Sequence, residues 1–154
     1  MRLAILLCTT AGFVNASGFL GFFVLTTNMT GHAALVALKF TEGDFRAVRM
    51  IGIWLLLFLS GAFFSSLHVS RVGRDKRESY IIPILIEIVI LCFVGYFGHT
   101  FDHTIVMTEY FAGGLLFAMG MQNALVSVIS GAVVRTTHLT GMFTDWVLIY
   151  LQHC

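Results

Sequence analysis

An all-α, polytopic transmembrane helix bundle is the fold class this sequence predicts, and three observations predict it. Of 154 residues, 58% are hydrophobic and only 11% charged, with a mean hydropathy of +0.90. A soluble domain carries roughly a quarter charged residues. The charges are also segregated. Leu3 to Leu38 and Tyr110 to Val134 contain no Asp, Glu, Lys or Arg, and each run exceeds the roughly 20 residues that cross a hydrocarbon core as helix. Lastly, one polar pattern occurs twice. Asn15 precedes Thr27-Asn28-Met29-Thr30-Gly31, and Gln122-Asn123 precedes Thr136-Thr137-His138-Leu139-Thr140-Gly141, about 110 residues further on. A period that long signals duplicated halves rather than a solenoid. The expected bundle therefore has an internal repeat and two broken helices.

The elements follow in order. Leu3 to Leu25 reads as the first span, with Ala11, Gly12, Ala16, Ser17, Gly18 and Gly21 allowing close helix approach. It is too long, and too rich in Asn, Thr and Gly, for a signal-peptide core of about 7–15 apolar residues. A break over Thr26 to Gly31 leads to a short apolar piece, Ala33 to Phe40, too short to span alone. Asp44 is the expected N-cap of the second span, Phe45 to Val69. Arg71 to Glu78 is the one dense charge run, and Tyr80 to Phe97 the third span, containing Pro83 and the lone intramembrane acid Glu87. Ile105 to Ile129 is the fourth span, Ser130 to Thr137 the second break, and Leu139 to Leu151 opens another helix.

With no hydrophilic linker, residues 1–154 form one membrane domain: a first repeat over 3–69, a linking span over 80–97 and an incomplete second repeat over 104–151. The second repeat reaches only its break and short segment, so the duplication predicts a further C-terminal span. The basic excess of loop 71–78 assigns it to the cytoplasm. If the short piece does not cross, the two copies are antiparallel, the inverted plan of many transporters; if it crosses, they are parallel. Both remain open from sequence.

Several classes are disfavoured. Net charge is +1, which gives no case for nucleic acid, and Cys8, Cys92 and Cys154 have neither disulfide nor metal-ligand spacing. His99, Asp102 and His103 are spaced like ligands but lack a fourth, so neither metal nor cofactor is expected. No Ser-His-Asp set, HExxH or paired carboxylates point to an enzyme. The expected partners are the lipid bilayer and a small-molecule substrate of unknown identity, with a homo-oligomer allowed.

Three stretches, Ala11 to Leu20, Asn28-Met29-Thr30-Gly31, and Gly120 to Ala124 with Thr136 to Gly141, together with Phe143-Thr144-Asp145, carry a resemblance to the YoaK-like bacterial membrane proteins, domain of unknown function 1275. The resemblance implies a multi-spanning inner-membrane protein, with a small-molecule permease as the usual expectation. Asn15 stands where that family often has Asp, and His32 where Asn is usual. Members tend to continue for another helix, so the chain looks truncated against them.

Non-helical backbone inside lipid survives only where protein or water satisfies its polar groups. The threonines of each Thr-x-x-Thr-Gly stretch are expected to cap the restarting helix, and the glycine to permit its turn. A helix start offers free N–H donors to an anionic or carbonyl group. Substrate is therefore expected between the breaks, on Asn15, Thr27, Asn28, Thr30, Gly31, Gln122, Asn123, Thr137, His138, Thr140 and Gly141. Glu87 and His138 are the candidates for proton coupling, and Arg135 is placed at the cytoplasmic interface. The alternative function is a non-transporting scaffold or sensor that meets a cytoplasmic partner through the basic loop.

Overall fold

The computed structural model describes residues 2–73, 76–98 and 105–130, and within them five helices and no strand. They are α1 (Arg2–Phe22), α2 (Met29–Thr41), α3 (Phe45–Val72), α4 (Glu78–Phe97) and α5 (Ile105–Ile129). All but α2 are long and apolar enough to cross a membrane. Their outward faces carry Phe13, Leu20, Leu56, Phe63 and Val89, all exposed. Apolar faces on that scale suit lipid, and the chain is a multi-pass helical membrane protein. The 13 residues of α2 extend about 20 Å at 1.5 Å per residue, short of the ~30 Å hydrocarbon core.

α5 is the axis of the bundle. α1, α3 and α4 each pack against it, and 67% of its span is buried, against 17–28% for the other three. Ala112, Leu116, Ala118, Met121, Leu125 and Val126 are sealed completely. The closest crossing is with α3. A Cβ on Gly61 would overlap the Phe117 carbonyl, and one on Gly120 would overlap the Phe58 carbonyl. Each helix thus supplies one glycine to the other's backbone. In lipid, where no hydrophobic drive pulls helices together, such backbone approach supplies the attraction.

Side-chain registers fix the directions. Leu57 meets Gly113 where Gly61 meets Phe117, so α3 and α5 run parallel. Phe93 packs on Phe111, and Ile90 faces Gly114, so α4 is antiparallel to α5. Phe22 stacks on Phe111 at one end, while the Gln122 amide bonds the Leu7 carbonyl at the other, so α1 is antiparallel to α5 as well. The start of α1, the α3–α4 turn and the end of α5 therefore share one end of the bundle. That turn reverses at Gly73, whose φ of +100° is open to glycine alone without strain, and the Ser79 hydroxyl donates to the Gly73 carbonyl.

α2 returns along α3. His32 lies against Trp54, and Phe40 against Phe45. The level of Trp54 is about 14 Å along α3 from its start, at 1.5 Å per residue. The α1–α2 junction accordingly lies beside the body of α3, not beyond its end. Asp44 caps α3 as expected, accepting from Ala47 N at 3.1 Å.

Two expectations need correction. α1 does not run to Leu25; it stops at Phe22, and Phe23 takes a φ of +56°, a conformation that bulky residues rarely adopt. The non-helical stretch is 23–28, and Thr30 and Gly31 are already helical in α2. The reason is local. Asn28 caps α2 with its side chain, pulling the helix start upstream of the Thr-Gly pair.

Candidate functional site

The α1–α2 junction is a chain reversal, several of whose polar groups are satisfied from within. Asn15, a side chain of α1, reaches across it: its Oδ1 accepts from Thr27 N at 3.1 Å and from the Thr26 hydroxyl at 3.5 Å. Thr26 is completely buried. Gly18 makes the fold-back feasible, because a Cβ there would lie 2.8 Å from Thr26 Cγ2 and 3.2 Å from the Val24 carbonyl. The bonds use only the oxygen of Asn15, the atom that an Asp at this position also offers.

Capping falls to Asn28, not to the threonines as expected. Its Oδ1 accepts from Gly31 N at 3.1 Å, relieving one of the free donors that every helix start leaves. The amide then lies so close over Gly31 that an added Cβ would be 2.5 Å from Nδ2. A side chain at Gly31 would displace the capping amide, and no unusual backbone angle is involved. Asn28 and Thr30 are exposed, and Thr27 and Gly31 half-buried.

His32 locks the other side. Its Nε2 lies 2.9 Å from the Leu25 carbonyl; a carbonyl only accepts, so Nε2 carries the proton. The ring packs edge-on to Trp54 at 5.9 Å, and Nδ1 is buried without a partner. A cavity of about 400 Å³ opens here, walled by Phe23, Val24, His32, Trp54, Lys39 and Glu109. Its cation is already engaged: Lys39 Nζ lies 2.6 Å from Glu42 Oε2, and that carboxylate holds the ammonium above its ordinary pKa.

From α5, Gln122 is fully buried and donates its amide to the Leu7 carbonyl at 2.6 Å, leaving Oε1 unpartnered among the described residues. It tethers α1 to α5 toward the end opposite the junction. Asn123 is half-buried beside it. Glu87 on α4 is 3% exposed, with Oε2 unpartnered among the described residues. About two turns back from the Ser79–Gly73 bond along each helix, Glu87 stands at the level of Ser65 on α3, also buried and unpartnered. Thr9, Thr10 and Ser60, by contrast, bond carbonyls of their own helices.

The structure thus brings Asn15, Thr27, Asn28 and Gly31 together at one junction and puts Gln122 and Glu87 elsewhere in the bundle. Thr137, His138, Thr140 and Gly141, with Arg135, His99, Asp102 and His103, lie outside the described residues. Sequence reasoning missed Thr26, His32 and Trp54 as the junction's buried supports. Gly12-x-x-Asn15-Ala16 and Gly120-x-x-Asn123-Ala124 share one pattern, but only Gly120 lies at a close helix crossing.

No curated protein and no solved structure matches the chain. The profile of a family described as "Protein of unknown function (DUF1275)" matches residues 3–152. With the match running over nearly the whole length and taking in both polar stretches, the chain belongs to the DUF1275 family.

Proposed function

We propose that the protein is a small-molecule permease of the cell's inner membrane, a secondary transporter that holds its substrate between two broken helices and is not an enzyme. The observation that carries this is the non-helical stretch 23–28 set beside the body of α3, with Asn15 held across it. Irregular backbone at membrane depth belongs where it is buried in protein or lines a water-filled cavity. The opposite directions of α1 and α5, each with a Gly-x-x-Asn-Ala stretch, favour an inverted repeat with its site at the interface. In this scheme Thr137, His138, Thr140 and Gly141 form the second half of the site. Glu87 or His138 exchanges the coupling proton, and loop 71–78 faces the cytoplasm.

Uptake of candidate solutes into vesicles holding the purified protein, under an imposed proton gradient, is the test. Asn123→Ala with Thr140→Ala is expected to abolish uptake, and Glu87→Gln to uncouple it from the gradient. A confirmed substrate crossing at an unchanged rate in both variants removes these residues from the site. One observation favours the scaffold alternative: Asn28 and Thr30 point outward, and Asn15 is occupied by the junction itself. Partner capture lost on replacing Arg74, Lys76 and Arg77, without solute flux, would support that alternative.

A further inference from the structure

A second aromatic-lined cavity shares Trp54 and Glu109 with the cavity beside His32 but takes in none of the junction's polar side chains. It has a volume of about 570 Å³ between α3 and α5 and is walled by Trp54, Tyr110, Phe117, Leu57 and Gly113, with Glu109 as its charged residue. Size and lining fit a small-molecule pocket, which is typically 300–1,000 Å³, apolar, and furnished with a few placed polar groups.

Charge decides what such a pocket takes. Glu109 is half-buried in the first turns of α5, and among the described residues no ion pair neutralises it. Its nearest basic candidates by position are Lys39, Arg46 and Arg49. Lys39 is bonded to Glu42, and Arg46 and Arg49 are exposed on α3. The same carboxylate also lines the 400 Å³ cavity beside His32, so it stands where the two spaces adjoin. A carboxylate among aromatic faces is the chemistry that holds an organic cation: the rings attract positive charge through their quadrupoles, and the acid supplies the counter-charge. An anion would meet only repulsion here, and a neutral apolar molecule would leave the carboxylate desolvated and unpaired.

We infer that the Trp54–Tyr110–Phe117 cavity with Glu109 is a binding site for a monovalent organic cation with an aromatic or otherwise apolar body. The ligand reaches it from the lipid phase, since Tyr110 and Ile53, which line the cavity, are exposed on the bundle's outer face. The inference goes beyond the permease proposal and does not depend on it, because binding at Glu109 needs neither the junction nor flux.

The test uses the whole chain in nanodiscs of zwitterionic lipid, with radiolabelled tetraphenylphosphonium as probe and empty nanodiscs subtracted. Saturable binding is expected, displaced by unlabelled probe and not by tetraphenylborate, an anion of the same shape. Glu109→Gln is expected to weaken it about tenfold, and Tyr110→Leu to weaken it while leaving the charge preference intact. In a Trp146→Phe background, the fluorescence of Trp54 alone should shift on addition of probe. Binding no greater than in empty nanodiscs, equal displacement by tetraphenylborate, or undiminished binding by a folded Glu109→Gln protein would each overturn the inference. The displacement arm needs no substitution, so a misfolded variant leaves the test intact.

Discussion

Two stretches of this chain share the pattern Gly-x-x-Asn-Ala, yet their surroundings differ completely. On α5, Gly120 is pressed against the Phe58 carbonyl of α3, and Gln122, Ala124 and Leu125 around it are buried. On α1, Gly12 has nothing within 4 Å of the position a Cβ would take, and Gly12, Phe13 and Ala16 are exposed. Among the described helices α1 packs on α5 alone, whereas α5 is surrounded by three. The same glycine is therefore essential packing in one place and exposed in the other. What separates them is the neighbour: α5 has α3 to receive its glycine, and α1 has no such helix among the described residues.

The comparison is easiest to break at α5. Gly120→Leu is expected to cost about 3 kcal/mol or more, because the obstacle is backbone and cannot rotate aside. Thermal unfolding in detergent measures it, and a change under about 1 kcal/mol would mean that the α3–α5 crossing is looser than described. Next in size is Asn15→Ala on α1. It strips the acceptor from Thr27 N and the buried Thr26 hydroxyl, at a cost of about 1–3 kcal/mol; Asn15→Asp keeps the acceptor and should cost less.

Smaller effects sharpen the contrast. Gly12→Ala, at the counterpart of Gly120, should be neutral or stabilising by up to about 1 kcal/mol, since it adds helix propensity and meets nothing. A loss comparable with that of Gly120→Leu would show that α1 has a covering helix in the membrane. Phe23→Gly should likewise be neutral or stabilising by about 1–2 kcal/mol, because Phe23 is 83% exposed and held at positive φ. Unfolding midpoints of the two variants decide both.

Much of this architecture was legible because bilayer thickness constrains helix length. The bounds of α5 at Ile105 and Ile129 and the cap at Asp44 follow from charge placement and polar punctuation alone. The junction was legible as a break but not in its wiring. Nothing local says that Asn15 would span to Thr27, or that Asn28 rather than a threonine would cap α2, since both depend on how the chain folds back. His32 stood out only as a departure from the family pattern and Trp54 not at all; only the return of α2 along α3 brings the rings together. Glu109 escaped notice for a similar reason. It sits near a helix start, where acids are common, and its meaning comes from the aromatic cavity that α3 builds with α5.

The most direct measurement concerns the depth and wetness of the α1–α2 junction. In a chain with Cys8, Cys92 and Cys154 changed to Ser, single cysteines at Thr30 in the first turn of α2 and at Leu20 on the outer face of α1 are exposed to a membrane-impermeant methanethiosulfonate in sealed vesicles. The account predicts that the cysteine at position 30 reacts, reached by water along the polar junction, while the one at position 20 stays inert in lipid. If both are equally inert, the junction is a dry connector and no polar path runs past Asn15.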